Sequence, residues 1–97
     1  MPDARPHYPH LRERVPEHTA GAIDAFIATG QPVGGFVNAV LTNDLFRAFD
    51  RADPENIAHM QDIVTYVYNE APMGCYGNQE TVDAWIRTQA GTVEAMA

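Results

Sequence analysis

Apolar residues recur along this chain at three- and four-residue spacing, and no stretch shows the strict alternation of a half-buried strand. Pro16 can take the first position of a helix, with Glu17 favourable in the first turn. Ala22, Ile23, Phe26 and Ile27 then mark a buried stripe. Gly30 supplies a left-handed stop and Pro32 forbids continuation, so a first helix is predicted over about residues 17–29. A second apolar run, Phe36, Val37, Ala39, Val40 and Leu41, is interrupted by Thr42-Asn43-Asp44 and resumes at Leu45, Phe46, Ala48 and Phe49. Either one helix runs through, or Asn43 or Asp44 caps a new short helix over 45–51. The break is favoured, because three consecutive residues that compete for backbone hydrogen bonds are unusual inside a helix.

Asp53-Pro54-Glu55-Asn56 is the clearest start signal in the chain: an N-cap, a residue pre-set for the first turn, and a carboxylate that complements the dipole. Ile57, Met60, Ile63, Val64, Val67 and Tyr68 trace the expected inner face, with Pro72 and Gly74 closing the helix near residue 70. Asn78 can cap a last helix with Val82, Trp85 and Ile86 inward, fading by Gly91. Ahead of these elements, Pro2, Pro6 and Pro9 predict an extended, proline-rich arm over residues 1–15. The expectation is all-α: a single compact domain of four to five short helices over residues 16–97, with an apolar surface left for a partner copy.

Length supports that expectation. With 97 residues there is room for one thin core, and domains of this size often gain stability by homo-oligomerising. No apolar run approaches the roughly 20 residues a membrane span needs, and Met1-Pro2-Asp3-Ala4-Arg5 lacks the apolar core of a secretory signal. Together these predict a cytoplasmic protein with no membrane role. Thirteen acidic residues stand against six arginines and no lysine, a net charge of -7. That excludes a general nucleic-acid binder, which needs a basic footprint, and leaves solvated helix faces or an acidic surface that competes for a basic site. A single cysteine, Cys75, fits a reducing compartment.

Catalytic and metal-binding signals are weak. The chain has no serine, nothing in the sequence sets a histidine beside Cys75, and Pro9 spoils helical presentation of His7 and His10. No enzyme, cofactor or metal site is expected. His59 is expected to face solvent, Tyr68 and Trp85 to be core, and Tyr66 and Tyr76 to be accessible. The segment from Gln31 to Asn56 is richer. Gly34 and Gly35 can bring backbone N–H groups to an anion, or supply a tight turn with positive φ. Asn38 lies among apolar residues and needs a partner for its amide. Asn43, Asp44, Arg47 and Arg51 follow, the two arginines sharing a helix face. Crowded into two dozen residues, Gly34, Gly35, Asn38, Asn43, Asp44, Arg47 and Arg51 form a candidate pocket for a small anionic or nucleotide-type ligand.

The blocks Pro16-Glu17-His18-Thr19, Pro32-Val33-Gly34-Gly35-Phe36, Ala39-Val40-Leu41, Asn43-Asp44-Leu45, Arg51-Ala52-Asp53, Asn56 and Tyr68-Asn69 resemble a set of small uncharacterised bacteriophage and prophage accessory proteins. The resemblance spans roughly residues 11–86. It implies action inside a bacterial host and carries no known site. By analogy of class, it suggests a homo-oligomer that sequesters a cyclic-nucleotide or ADP-ribose-type immune signal to counter bacterial defence. The alternative is a protein–protein inhibitor of a host or defence enzyme, acting through an acidic surface or an exposed apolar patch.

Overall fold

The structure, a computed structural model, describes the backbone of residues 10–96 and the side chains of residues 10–89. Every regular element among these residues is helical: α1 (Leu11–Arg14), α2 (Glu17–Thr29), α3 (Gly35–Leu41), α4 (Leu45–Arg51), α5 (Pro54–Ala58), α6 (Met60–Glu70), a 3₁₀ turn (Met73–Cys75) and α7 (Gln79–Met96). The single all-α domain expected from the sequence is therefore present, in more and shorter pieces than four or five.

The first piece corrects the arm. Pro2, Pro6 and Pro9 lie outside the described residues, but Leu11–Arg14 form a helical turn, and Leu11 and Val15 are buried in the core. Prolines bracket this turn without entering it, and the four-residue spacing of Leu11 and Val15 puts both on one side. The helical domain thus begins by Leu11 and not at residue 16. Arg12 ties the turn down through Asp24 at 2.9 Å and Glu17 at 3.2 Å, while Arg14 reaches Asp62 at 3.1 Å.

Helix α2 ends as expected. Gly30 is left-handed (φ 70°), and its N–H donates to the Phe26 carbonyl at 2.9 Å. Ile23 and Phe26 are fully buried and meet Leu41 of α3, Ile63 of α6 and Val82 of α7 in one core. Trp85 crosses from α7 to donate its indole N–H to the Phe26 carbonyl at 3.0 Å.

The break at Thr42-Asn43-Asp44 is two caps back to back. Asn43 is left-handed (φ 61°), the Asp44 N–H reaches the Ala39 carbonyl and the Asn43 N–H reaches the Val40 carbonyl, which is a Schellman stop for α3. Asp44 then accepts the Arg47 N–H at 3.2 Å and starts α4. Asp53 caps α5 in the same way, accepting from the Asn56 N–H at 2.7 Å.

The single helix expected over 54–70 is broken at His59 (φ -116°), with no proline or glycine to announce it. Just ahead of the break Asn56 faces inward, where it accepts the Thr19 hydroxyl proton at 2.6 Å in a buried bond between α5 and α2. Tyr66 is buried and Tyr68 is exposed, the reverse of the expectation, because the inner face of α6 runs through Ile63, Tyr66 and Val67. His59 is half-buried, its Nδ1 3.4 Å from Asp62. At the C-terminus α7 passes Gly91 and continues to Met96; one glycine costs a helix only about 1 kcal/mol.

Candidate functional site

The seven residues named from the sequence do not line one enclosed pocket. Neither Gly34 (φ -71°) nor Gly35 has positive φ; the left-handed positions nearby are Gly30 and Asn43. Gly34 faces open space, while a Cβ on Gly35 would come within 3.0 Å of Arg51 Nη1, so Gly35 makes room for that guanidinium. Asn38 points towards α7, where its amide and that of Gln79 bond reciprocally at 2.9 and 3.2 Å. Asn43 and Asp44 are engaged in the α3–α4 caps. Arg47 lies 3.6 Å from Asp44, and Arg47 and Arg51 share a shallow open face with Asp44, Asp50 and Phe46. Arg47, Arg51, Asp44 and Gly35 gather around α4; Asn38 and Gly34 do not join them.

An exposed apolar surface was expected, but not its place, which is the arc of α4 that adjoins this face at Phe46. At about 100° per residue, Leu45, Phe49 and Phe46 sweep an apolar arc of about 100° next to Ala48. Ala48 alone of these four is buried, because α4 rests mainly on α3. Leu45 is 63 % exposed, Phe46 88 % and Phe49 47 %.

Helix α6 carries a second apolar stripe besides its inner one. Met60, Val64 and Tyr68 recur every four residues, with Val64 and Tyr68 exposed. Between this stripe and the α3–α4 turn runs an open apolar groove. One part, of about 130 Å³, lies over Ala39, Ala48 and Leu45; the adjoining part, of about 260 Å³, reaches Tyr68 and Tyr76, and the two share Val40, Asn43 and Val64. Met73, 85 % exposed, continues the surface beyond Tyr68 and Tyr76. The excess was legible: four of seven residues in α4 are apolar, more than one short helix can bury on one neighbour.

Comparison with protein-family models, with curated proteins and with solved structures finds no match for this chain. The chemistry of the site therefore rests on its own groups.

Cys75 is fully buried, and burial pushes its thiol up to about 11. At neutral pH it stays in the un-nucleophilic protonated form. Among the described residues no group of three or more His, Cys, Asp and Glu side chains could hold a metal ion, and no helix is long and apolar enough to cross a membrane.

The most tightly held polar cluster lies across α6 from the groove, and it is structural. Asp24 accepts the Tyr66 hydroxyl proton and also binds Arg12. Burial first, and then the bond to Asp24, raise the Tyr66 hydroxyl to about 12. An unfolded chain would lose that proton near pH 10, so the folded state holds the extra proton between about pH 10 and 12 and loses stability as pH rises through this window. Water screening on the Asp24 side keeps the loss on the order of 1–2 kcal/mol, below the roughly 2.7 kcal/mol that the full rise would give. A tyrosinate titration of the protein against its Tyr66→Phe variant should remove a late-titrating phase. If the missing phase titrates near pH 10, the cluster does not hold the proton.

Proposed function

We propose that this protein is a non-catalytic binding protein that docks onto another protein chain through the apolar face of α4 and the outer stripe of α6. The observation that carries this reading is the unpartnered arc of α4. A small domain with a thin core spends Leu45, Phe46 and Phe49 on solvent, although burying a side chain of this kind is worth about 1.5–3 kcal/mol. Clustered large apolar side chains beside a groove are the usual mark of a protein interface, and aromatic residues are favoured at its anchors. On the resemblance to phage accessory proteins, the setting would be a bacterial host, where such docking could block a host or defence enzyme.

A photo-crosslinking residue at position 46 (Phe46→p-benzoylphenylalanine) tests this against the same residue at Glu13. That position is exposed on α1, which packs against the far side of α6. Protein adducts are expected from position 46 and not from position 13. Equal yields from both, or none from 46, would remove the docking reading.

The nucleotide-type ligand keeps one observation in its favour. The exposed ring of Phe46 shares its shallow face with Arg47 and Arg51, a stacking surface beside two guanidiniums. Asp44 and Asp50 line the same face and offset that charge. Calorimetry with cyclic nucleotides and ADP-ribose separates the two readings: heat that is lost in the Arg47→Ala, Arg51→Ala double variant belongs to a small-ligand site.

A further inference from the structure

We infer that the occupant of this face is a second copy of the same chain, paired about a two-fold axis, with Phe46 and Leu45 of each copy seated on the other's groove at Val40, Val64 and Tyr68. This rests on the docking reading and names its partner.

Area is the first argument. Aromatic side chains bury on the order of 150–250 Å² each, and Leu, Met and Val sit at or somewhat below the lower end of that range. The exposed parts of Leu45, Phe46, Phe49, Val64, Tyr68 and Met73 together therefore offer roughly 600–900 Å², against about 800 Å² per partner in a standard stable interface.

Charge is the second. The chain carries a net charge of -7, so two copies repel wherever carboxylates would face each other. The two parts of the groove hold one carboxylate between them, Asp44, and it is already engaged by the Arg47 N–H and lies near the Arg47 guanidinium. Outside the groove the face is charged, with Asp50 beside Phe46 offset by Arg47 and Arg51, and Glu70 near Met73, so the groove is where two acidic copies meet with least repulsion. A basic partner would gain nothing there, and its match lies on the acidic remainder of the molecule.

Shape is the third argument. A two-fold interface must be self-complementary, each copy supplying both halves of the contact. This face has an exposed knob, Leu45, on the wall of the groove with Phe46 one position further round α4, and the groove runs on from Leu45 to Tyr68 and Tyr76, so each copy carries both a projection and a recess.

The test is the mass of the full-length protein by light scattering over a series of micromolar concentrations, with the position-46 crosslink analysed by mass. Twice the 10.7 kDa chain mass is expected for the native protein, together with a crosslinked adduct of two identical chains. The Leu45→Glu, Phe46→Glu variant should run as a monomer with an unchanged far-UV spectrum, the dissociation constant rising at least ~30-fold for each anchor lost. A native monomer throughout the series, or a dimer that survives in the variant, overturns the inference. An adduct at position 46 to a different protein overturns the second copy and leaves the docking reading standing. No adduct of any kind ends both.

Discussion

Gly30→Ala is expected to destabilise the protein by about 2–4 kcal/mol, while Gly34→Ala, four residues on, is expected to be neutral or slightly stabilising. Gly30 has φ 70°, a conformation that costs an L-residue about 1–2 kcal/mol. Its position adds a steric cost, because a Cβ there would stand 2.6 Å from Gln89 Cβ, 3.0 Å from the Ile86 carbonyl oxygen and 3.3 Å from Ile86 Cα. None of these atoms is the far end of a flexible side chain. The crowding is relieved only by moving α7 away from α2, which strains the Trp85 bond to the Phe26 carbonyl. Overpacking of this kind costs about 1–3 kcal/mol. At about 4–8 °C per kcal/mol in a domain of this size, the melting temperature should fall by roughly 10–30 °C. Gly34 has ordinary extended geometry and open space where its Cβ would lie, so alanine there only restricts the unfolded chain. Thermal melts of the two variants check the pair. Equal tolerance of both would mean that α2 and α7 do not approach at Gly30.

That pair also shows where the sequence was legible. Gly30 as a helix stop could be read from its place after a periodic run and before Pro32; its service as the contact point for α7 could not, because nothing local encodes which later residues return to it. The same division runs through the fold. Asp44, Asp53 and Asn78 were readable as caps because capping is a contact over two or three residues, and each accepts the N–H expected of it. The break at His59 and the inversion of Tyr66 and Tyr68 were not readable. Both are set by distant partners: Thr19 turning Asn56 inward, and Asp24 with Arg12 drawing in the Tyr66 hydroxyl.

The candidate site divides similarly. Asn38, Asn43 and Asp44 attracted notice as polar residues in an apolar stretch, and the structure gives each a local or cross-helix hydrogen-bonding duty. The surplus lay instead in the apolar residues. Periodicity marks which positions belong to a stripe but not whether anything covers it, and α6 has two stripes of which the core uses one.

Two phenylalanines on this chain make the same distinction measurable. Phe26→Ala and Phe46→Ala delete the same atoms, yet Phe26 is fully buried and Phe46 is 88 % exposed. Phe26 packs in the core with Ile23 and Leu41, so its loss leaves a cavity that a thin core cannot collapse around; the expected cost is about 3–5 kcal/mol. Against a total stability of about 5–15 kcal/mol, that removes between about a fifth and all of it. Phe46→Ala opens no cavity and should shift stability by less than about 0.5 kcal/mol in the isolated chain. For association the order is expected to invert. Phe46→Ala should weaken pairing at the α4 face, while Phe26→Ala, measured at a temperature where it remains folded, should leave pairing intact because its ring touches none of that surface. Urea unfolding and mass against concentration, run on both variants, give the two axes. If Phe46→Ala costs as much stability as Phe26→Ala in the monomer, the ring belongs to the fold; if it costs neither stability nor association, α4 exposes it for no partner and the docking surface lies elsewhere.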